Sequence, residues 1–346
     1  MNNFVLAFIT NDIALPIPAS IGLLEVLIIV TFILHILFVN FTISLSSSAV
    51  LLEVLGIVKK NKHYDEMARI SSLHASVHKS IAVVLGVGPL LIISVIYTQY
   101  FYASTIIIGK AWLSVIVLLI IAFLLLYLYK FTWERWQHKK ALHLSIGILG
   151  SAILLFVPLI FIVNVVSMLY PDRWGDAQGF FHSLFHYPQI WQRYFHFILA
   201  SLASGGFYLF VYFSFKNRKQ AIAAQEHSLK KFGLKACFWI TLMQIVFGFI
   251  LLFSFEKDIR MLYLGEDLLL TSLLLLSILL TLILCAALYI ASEKDNRKAF
   301  TLSIVTFVLI LAVMGYMRHE LRENYLQPYI DENPRTTELE AKITSE

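Results

Sequence analysis

Apolar residues fill eight long stretches of this chain, and charged residues crowd into the short segments between them. The first stretch covers residues 21–58, the second about 72–102, the third 111–129 and the fourth 142–170. A polar and aromatic segment, PDRWGDAQGFFHSLFHYP, follows, and then stretches at 190–215, 234–255, 268–290 and 300–316. Crossing ~30 Å of hydrocarbon takes roughly 17–20 helical residues. Every stretch reaches that length, the last only by merging with its polar end. Lipid cannot satisfy an open strand edge, so the spans are helices. The pattern predicts an all-α polytopic membrane helix bundle of about eight transmembrane helices over residues 1–326, with a polar tail at 327–346.

Composition agrees with that class. The chain has 346 residues, of which 59% are hydrophobic and 14% charged; a soluble domain carries roughly 25% charged residues. Mean hydropathy is +0.78. Cys237 and Cys285 both lie in apolar runs, and no CxxCH or CxxC spacing offers covalent haem attachment, zinc or an iron–sulfur cluster. Residues 1–19 lack the basic start of a signal peptide. The loops after the first, third, fifth and seventh spans hold 17 Lys and Arg, against 9 on the other side. The positive-inside rule makes the first set cytoplasmic, so both termini face outward. The net charge of +5 has this mundane origin and gives no reason to expect a nucleic acid.

Glycine and proline mark where helices bend or approach closely. GVGP at 86–89 and Pro158 can kink the second and fourth spans. Gly205, Gly206 and Gly248 allow close approach of a backbone or a flat cofactor.

Histidine is the candidate chemistry. An imidazole in hydrocarbon has no water for its two ring nitrogens, so it needs a partner or a metal. His35 lies deep in the first span, within TFILHILFVNFTISLSSSAVLLE, and His196 lies in the fifth among aromatics. A buried neutral imidazole is a good iron ligand. Two of them on separate helices point to a haem-carrying bundle with His35 as one axial ligand. His74 and His78, four residues apart near the basic end of the second span, share one helix face. A metal pair or a further haem ligand is open to them, and an interfacial pair is the simpler reading. His182 and His186 have the same spacing among Phe180, Phe181, Leu184 and Phe185, as on an amphipathic helix at the lipid surface. His63, His138 and His227 accompany basic loops and are expected in solvent; His143, at the start of the fourth span, is expected to be structural.

Four motifs then occur in order. His35-Ile-Leu-Phe-Val-Asn-Phe-Thr, with Glu53 ending the same helix, resembles the H-F-L-F-V-P-L-T of the first helix of subunit I of the cytochrome bd quinol oxidases. NVVSMLYP at 164–171 resembles the N-G-x-M-x-x-P that ends that family's fourth helix. QRYFHF at 192–197, running into ASGG at 203–206, is similar to its F-V-H-T-x-A-S-G-Y. GYMRHELR at 315–322 is similar to its G-W-x-x-x-E-x-G-R. The resemblance implies that His35 matches the active-site haem histidine and His196 that of the low-spin haem which takes electrons from quinol. It implies that Glu320 ligates a high-spin b haem, with Met317, Arg318 and Arg322 beside it. A surface ion pair of Glu320 with the two arginines is the alternative.

The departures are as specific. The family's paired glutamates on the third helix are missing from AWLSVIVLLIIAFLLLYLY, and its methionine is missing from the seventh span; Met261 and Met243 are substitutes to consider. The long quinol loop shrinks to residues 256–267, where Glu256, Lys257, Asp258 and Arg260 are the candidates to hold a quinol hydroxyl. Reducing oxygen to water consumes protons and needs a protonatable route, yet Glu25 and Glu53 lie near opposite ends of the first span and acidic residues at membrane depth are almost absent.

The expected function is therefore that of a bd-like b-type cytochrome, the membrane subunit of an oxidoreductase in the bacterial cytoplasmic (inner) membrane. It would pass electrons from quinol through two or more non-covalent b haems, with haem d left open, to an extracytoplasmic redox partner such as a multihaem c-type cytochrome. A terminal quinol oxidase subunit reducing oxygen is the alternative. A non-redox scaffold or transporter subunit is the second, although no internal repeat supports it.

Overall fold

The computed structural model describes residues 16–293, 296–332, 335 and 337. Those residues form an all-helical bundle: α1 (Ile21–Val58), α2 (Lys62–Ile96), α3 (Thr98–Ile107), α4 (Gly109–Phe131), α5 (Lys140–Met168), α6 (Gly179–His186), α7 (Ile190–Lys219), α8 (Ala224–Phe253), α9 (Lys257–Met261), α10 (Leu268–Glu293) and α11 (Arg297–Glu332). Eight of them (α1, α2, α4, α5, α7, α8, α10 and α11) are long and apolar enough to cross a membrane. Val84, Leu113, Ile116 and Leu124 stand exposed along them, as a lipid-facing surface requires.

Successive spans pack as antiparallel neighbours, α1 on α2, α4 on α5, α7 on α8 and α10 on α11, while α1 also touches α5, α7 and α11. The first helix is thus the post around which the others stand. Its turn into α2 is tight. Lys60 takes a left-handed conformation (φ 50°), Asn61 caps α2 by accepting from the His63 N–H at 2.9 Å, and a Cβ on Gly56 would meet Asp65 Oδ1 at 2.6 Å. This turn lies at the face that carries the lysine- and arginine-rich loops, the basic face below.

The polar helix ends differ from the sequence expectation. The second span begins at Lys62 rather than 72, breaks at Tyr97 (φ −119°, ψ 37°) and resumes as the separate α3. The last runs on to Glu332, well past the apolar stretch, because its polar residues find partners: Tyr97 donates to Glu323, Arg335 Nη2 pairs with Glu323 at 2.9 Å, and Asn324 Nδ2 donates to the Glu320 carbonyl at 2.8 Å. The first residues of the expected tail are therefore helical, and 333, 334, 336 and 338–346 lie outside the described residues. Pro89 and Pro158 sit inside α2 and α5 without ending them.

Aromatic clusters close the two ends. Tyr97, Tyr100, Tyr170, Trp174, Tyr187 and Tyr325 pack together opposite the basic face. Phe41, Tyr129, Trp133 and Phe213 pack towards it. There Glu53, fully buried, accepts from Tyr129 Oη at 2.7 Å and pairs with His143 Nδ1 at 2.7 Å, while His143 Nε2 lies 2.8 Å from the Tyr129 carbonyl. His143 is structural, as expected. His63 departs from the solvent reading, since its Nε2 bonds Ser228 Oγ at 2.9 Å and joins α2 to α8.

Candidate functional site

His35 projects from α1 onto α2. Its Nδ1 lies 2.9 Å from the carbonyl oxygen of Ala82. A carbonyl only accepts, so Nδ1 carries the proton and Nε2 is the bare nitrogen. A metal-ligating histidine is commonly held this way, its second nitrogen donating to a carbonyl that fixes the ring. Gly86, one turn on, makes room: a Cβ there would stand 2.8 Å from His35 Cε1. The glycine of GVGP is thus a cradle for the imidazole.

His196 sits on the second turn of α7, with its Nδ1 buried and without a hydrogen-bond partner. Across from it, Gly248 of α8 would place a Cβ 3.7 Å from its Cε1. The helix is held in register by small residues. A Cβ on Gly206 would meet the Gly233 carbonyl at 2.7 Å, one on Gly233 would meet the Gly206 carbonyl at 2.5 Å, and Gly205 abuts Ser44 of α1. Ser201 Oγ also donates to Asn40 Oδ1 at 2.8 Å, tying α7 to the helix of His35. Gly205 and Gly206 of α7 serve helix approach, whereas Gly248 of α8 faces the His196 ring.

Glu320 is half-buried on α11, its carboxylate near the Tyr316 hydroxyl one turn earlier. It belongs to none of the ion pairs among the described residues, so the surface-pair alternative is not the arrangement observed. The Arg318 guanidinium lies over the Phe32 ring at 3.7 Å, and that of Arg322 over Tyr97 at 4.9 Å. Arg322 is buried with Nε and Nη1 unpartnered. Arg318 is close enough to both Arg322 and Arg193 to be repelled by them. Met317 packs partly buried beside them and accepts from Tyr263 Oη through its carbonyl at 3.3 Å.

Sequence reasoning missed the network that connects these helices. Gln189 (φ 68°) precedes α7 and is buried. Its Nε2 donates to Tyr170 and Tyr325 at 2.8 Å each, and its Oε1 accepts from Arg193 Nη2 at 2.8 Å. Burial, and then Tyr325 beside it, push the Tyr170 phenol well above its ordinary pKa, so it stays a neutral donor and acceptor. The only sequence signal for this network was the density of tyrosine at helix ends.

The other candidates are dispersed. Glu256, Lys257 and Asp258 are exposed around the short α9, and Arg260 donates only to the Phe253 carbonyl at 3.3 Å, so the four form a surface turn. Met243 is exposed on α8 and Met261 half-buried on α9. On α6, Phe180 and Leu184 are buried while Phe181 and Phe185 are exposed, an amphipathic surface helix as expected. His74 Nδ1 lies 2.8 Å from Tyr208 Oη, and both ring nitrogens of His78 are buried without a partner. Neither is a surface residue.

The donor set suits haem. It offers an imidazole held by a carbonyl with its other nitrogen bare, a second imidazole with an orphaned buried nitrogen, a half-buried carboxylate, and a buried arginine, Arg322, whose unpartnered nitrogens a propionate would suit. Among solved structures, the bd oxidase from Geobacillus thermodenitrificans is similar in fold, with a TM-score of 0.66 at 14% identity over 91% of this chain and 89% of that one. No curated protein matches the sequence. The family model for cytochrome bd terminal oxidase subunit I matches residues 25–253, well over half of the chain. This multi-pass helical membrane protein therefore belongs to the cytochrome bd terminal oxidase subunit I family.

Proposed function

We propose that the chain is the haem-carrying, quinol-oxidising subunit of a terminal oxidase, with His35, His196 and Glu320 as iron ligands. The observation that carries this reading is the His35–Ala82 bond, which holds the ring and leaves Nε2 bare. Bound haem would supply one-electron chemistry between a two-electron quinol and an oxygen acceptor. The protein's part is positional. Ala82 and Gly86 fix the His35 ring, Gly248 leaves space beside His196, and Arg193, Arg318 and Arg322 provide the positive field for carboxylates. By the charge rule the basic face is cytoplasmic, so these ligands lie in the outer half of the bundle and both ends of the chain face outward. Quinol would enter near that outer face, where Gln189, Tyr170 and Tyr325 offer neutral hydrogen-bonding groups.

A second reading ends the electrons on an extracytoplasmic redox subunit, such as a multihaem c-type cytochrome. The absence of Asp and Glu from α4 favours it, because such a relay consumes no protons.

Quinol-driven oxygen consumption by the purified complex tests the choice. The account expects uptake that is sensitive to cyanide or nitric oxide and lost in His35→Ala. Quinol oxidation only upon addition of a c-type cytochrome, with no oxygen uptake, would select the second reading.

A further inference from the structure

Positions 74, 78, 82 and 86 of α2 are each four residues apart and share one helix face. The upper two receive His35, through the Ala82 carbonyl and the missing Cβ of Gly86. The lower two are histidines, one and two turns nearer the basic face, at about 6 Å per step. A column of imidazoles thus leads along α2 to the ring at the candidate site.

The surroundings of the column are those of a relay. His78 is 7% exposed, and neither of its nitrogens has a protein partner. It is enclosed by Phe38 and Phe41 of α1, at ring distances of 5.6 and 5.3 Å, and by Tyr208 of α7 at 4.5 Å. His74 shares that tyrosine, its Nδ1 2.8 Å from the hydroxyl, and lies 4.6 Å from the Tyr212 ring. At the mouth stand Lys216 of α7 and Glu226 of α8, paired at 2.6 Å and partly exposed. The titratable and charged groups facing the column are therefore Tyr208, Tyr212 and Lys216 from α7 and Glu226 from α8; α1 faces it with phenyl rings. Lys79, next to His78 in sequence, points away, over Phe123 and Tyr127 of α4.

His143 shows what a structural histidine looks like in this bundle, with both nitrogens bonded. A buried polar group left unpaired is costly, and His78 leaves two. Internal water would satisfy them, and an imidazole bridged by water can accept a proton on one nitrogen and release it from the other.

We propose that His74 and His78, with the Tyr208 hydroxyl, carry protons from the basic face to the His35 site. The proposal rests on the oxidase reading and names its proton supply. Two quinols give four electrons to dioxygen and release four protons at the opposite face, and four protons arrive through the column to complete two waters. Each step along it breaks one N–H or O–H bond and forms the next, with no electron moved.

Two readouts on the intact protein in lipid test this. With 15N-histidine labelling, the His78 ring, assigned by His78→Gln, is expected to exchange protons with water whether or not haem is present. A ring protected from water overturns the proposal. In proteoliposomes reduced by quinol, an indicator dye should report proton uptake on the basic side, slowed roughly tenfold or more in His78→Phe and His78→Gln, with an unchanged haem spectrum. Uptake at the wild-type rate with that spectrum intact also overturns it. Absence of haem bands would end the oxidase reading and leave the exchange experiment to decide the column.

Discussion

The Cβ that Gly86 lacks would stand 2.8 Å from Cε1 of His35. The ring cannot yield freely, because its Nδ1 is held by the Ala82 carbonyl. Gly86→Ala must therefore break that hydrogen bond, worth about 1 kcal/mol, or turn the bare nitrogen away from its target. The expected outcome is a folded protein with a changed or weakened haem spectrum. Gly248→Ala, whose added carbon would have 3.7 Å of room, should change the spectrum little. Equal effects of the two substitutions would contradict the cradle.

The Glu53–His143–Tyr129 cluster should contribute stability rather than chemistry. Glu53→Leu strands the His143 nitrogen and the Tyr129 hydroxyl in a buried setting, and breaking a buried pair from one side costs about 3–5 kcal/mol. Glu53→Gln keeps one carbonyl oxygen to accept from His143 or Tyr129 and should cost less. Thermal unfolding in detergent should rank the variants wild type, Gln, Leu, with electron transfer intact in the surviving protein. A Leu variant as stable as wild type would show that the cluster carries no strain when opened.

Arg322 separates loaded from empty protein. With Nε and Nη1 buried and unpartnered, its charge is a burden unless an anion meets it. Arg322→Leu should therefore leave haem-free protein as stable as before or more so, yet lower its haem content on loading. Thermal midpoints of both forms check this, and a variant less stable when empty with unchanged haem content would assign Arg322 a purely structural place.

The crossing of α7 and α8 is a backbone contact. A Cβ on Gly233 would meet the Gly206 carbonyl at 2.5 Å and the Phe210 nitrogen at 3.1 Å, neither of which can rotate aside. Gly233→Ala should cost about 1–3 kcal/mol and, by spreading the helices beside His196, weaken the haem binding proposed for that residue. The haem absorbance that depends on His196 and the unfolding midpoint should move together.

Much of this was legible from residues alone. The bounds of α1 followed from its apolar run, and the eight spans followed from length and charge. Polar helix ends were not. Lys62–Ile96 opens with a charged turn that reads as a loop until Asn61 is seen to cap it, and Arg297–Glu332 continues through charged residues whose partners come from Tyr97 and Arg335. His35 could be singled out because one imidazole in hydrocarbon demands an explanation. Its carbonyl partner could not, since Ala82 has no distinguishing side chain and its placement depends on which face of α2 meets α1. The same blindness hid the column, where His74 and His78 read as a pair and their alignment with His35 appears only when the two helices are packed.

The most direct test of the central claim is a dithionite-reduced minus oxidised absorption spectrum of the purified protein, with pyridine haemochrome quantitation. The account predicts b-type bands, with absorbance lost in part in His35→Ala and in a different part in His196→Ala. A protein that binds no haem, or one whose spectrum survives both substitutions unchanged, would contradict it.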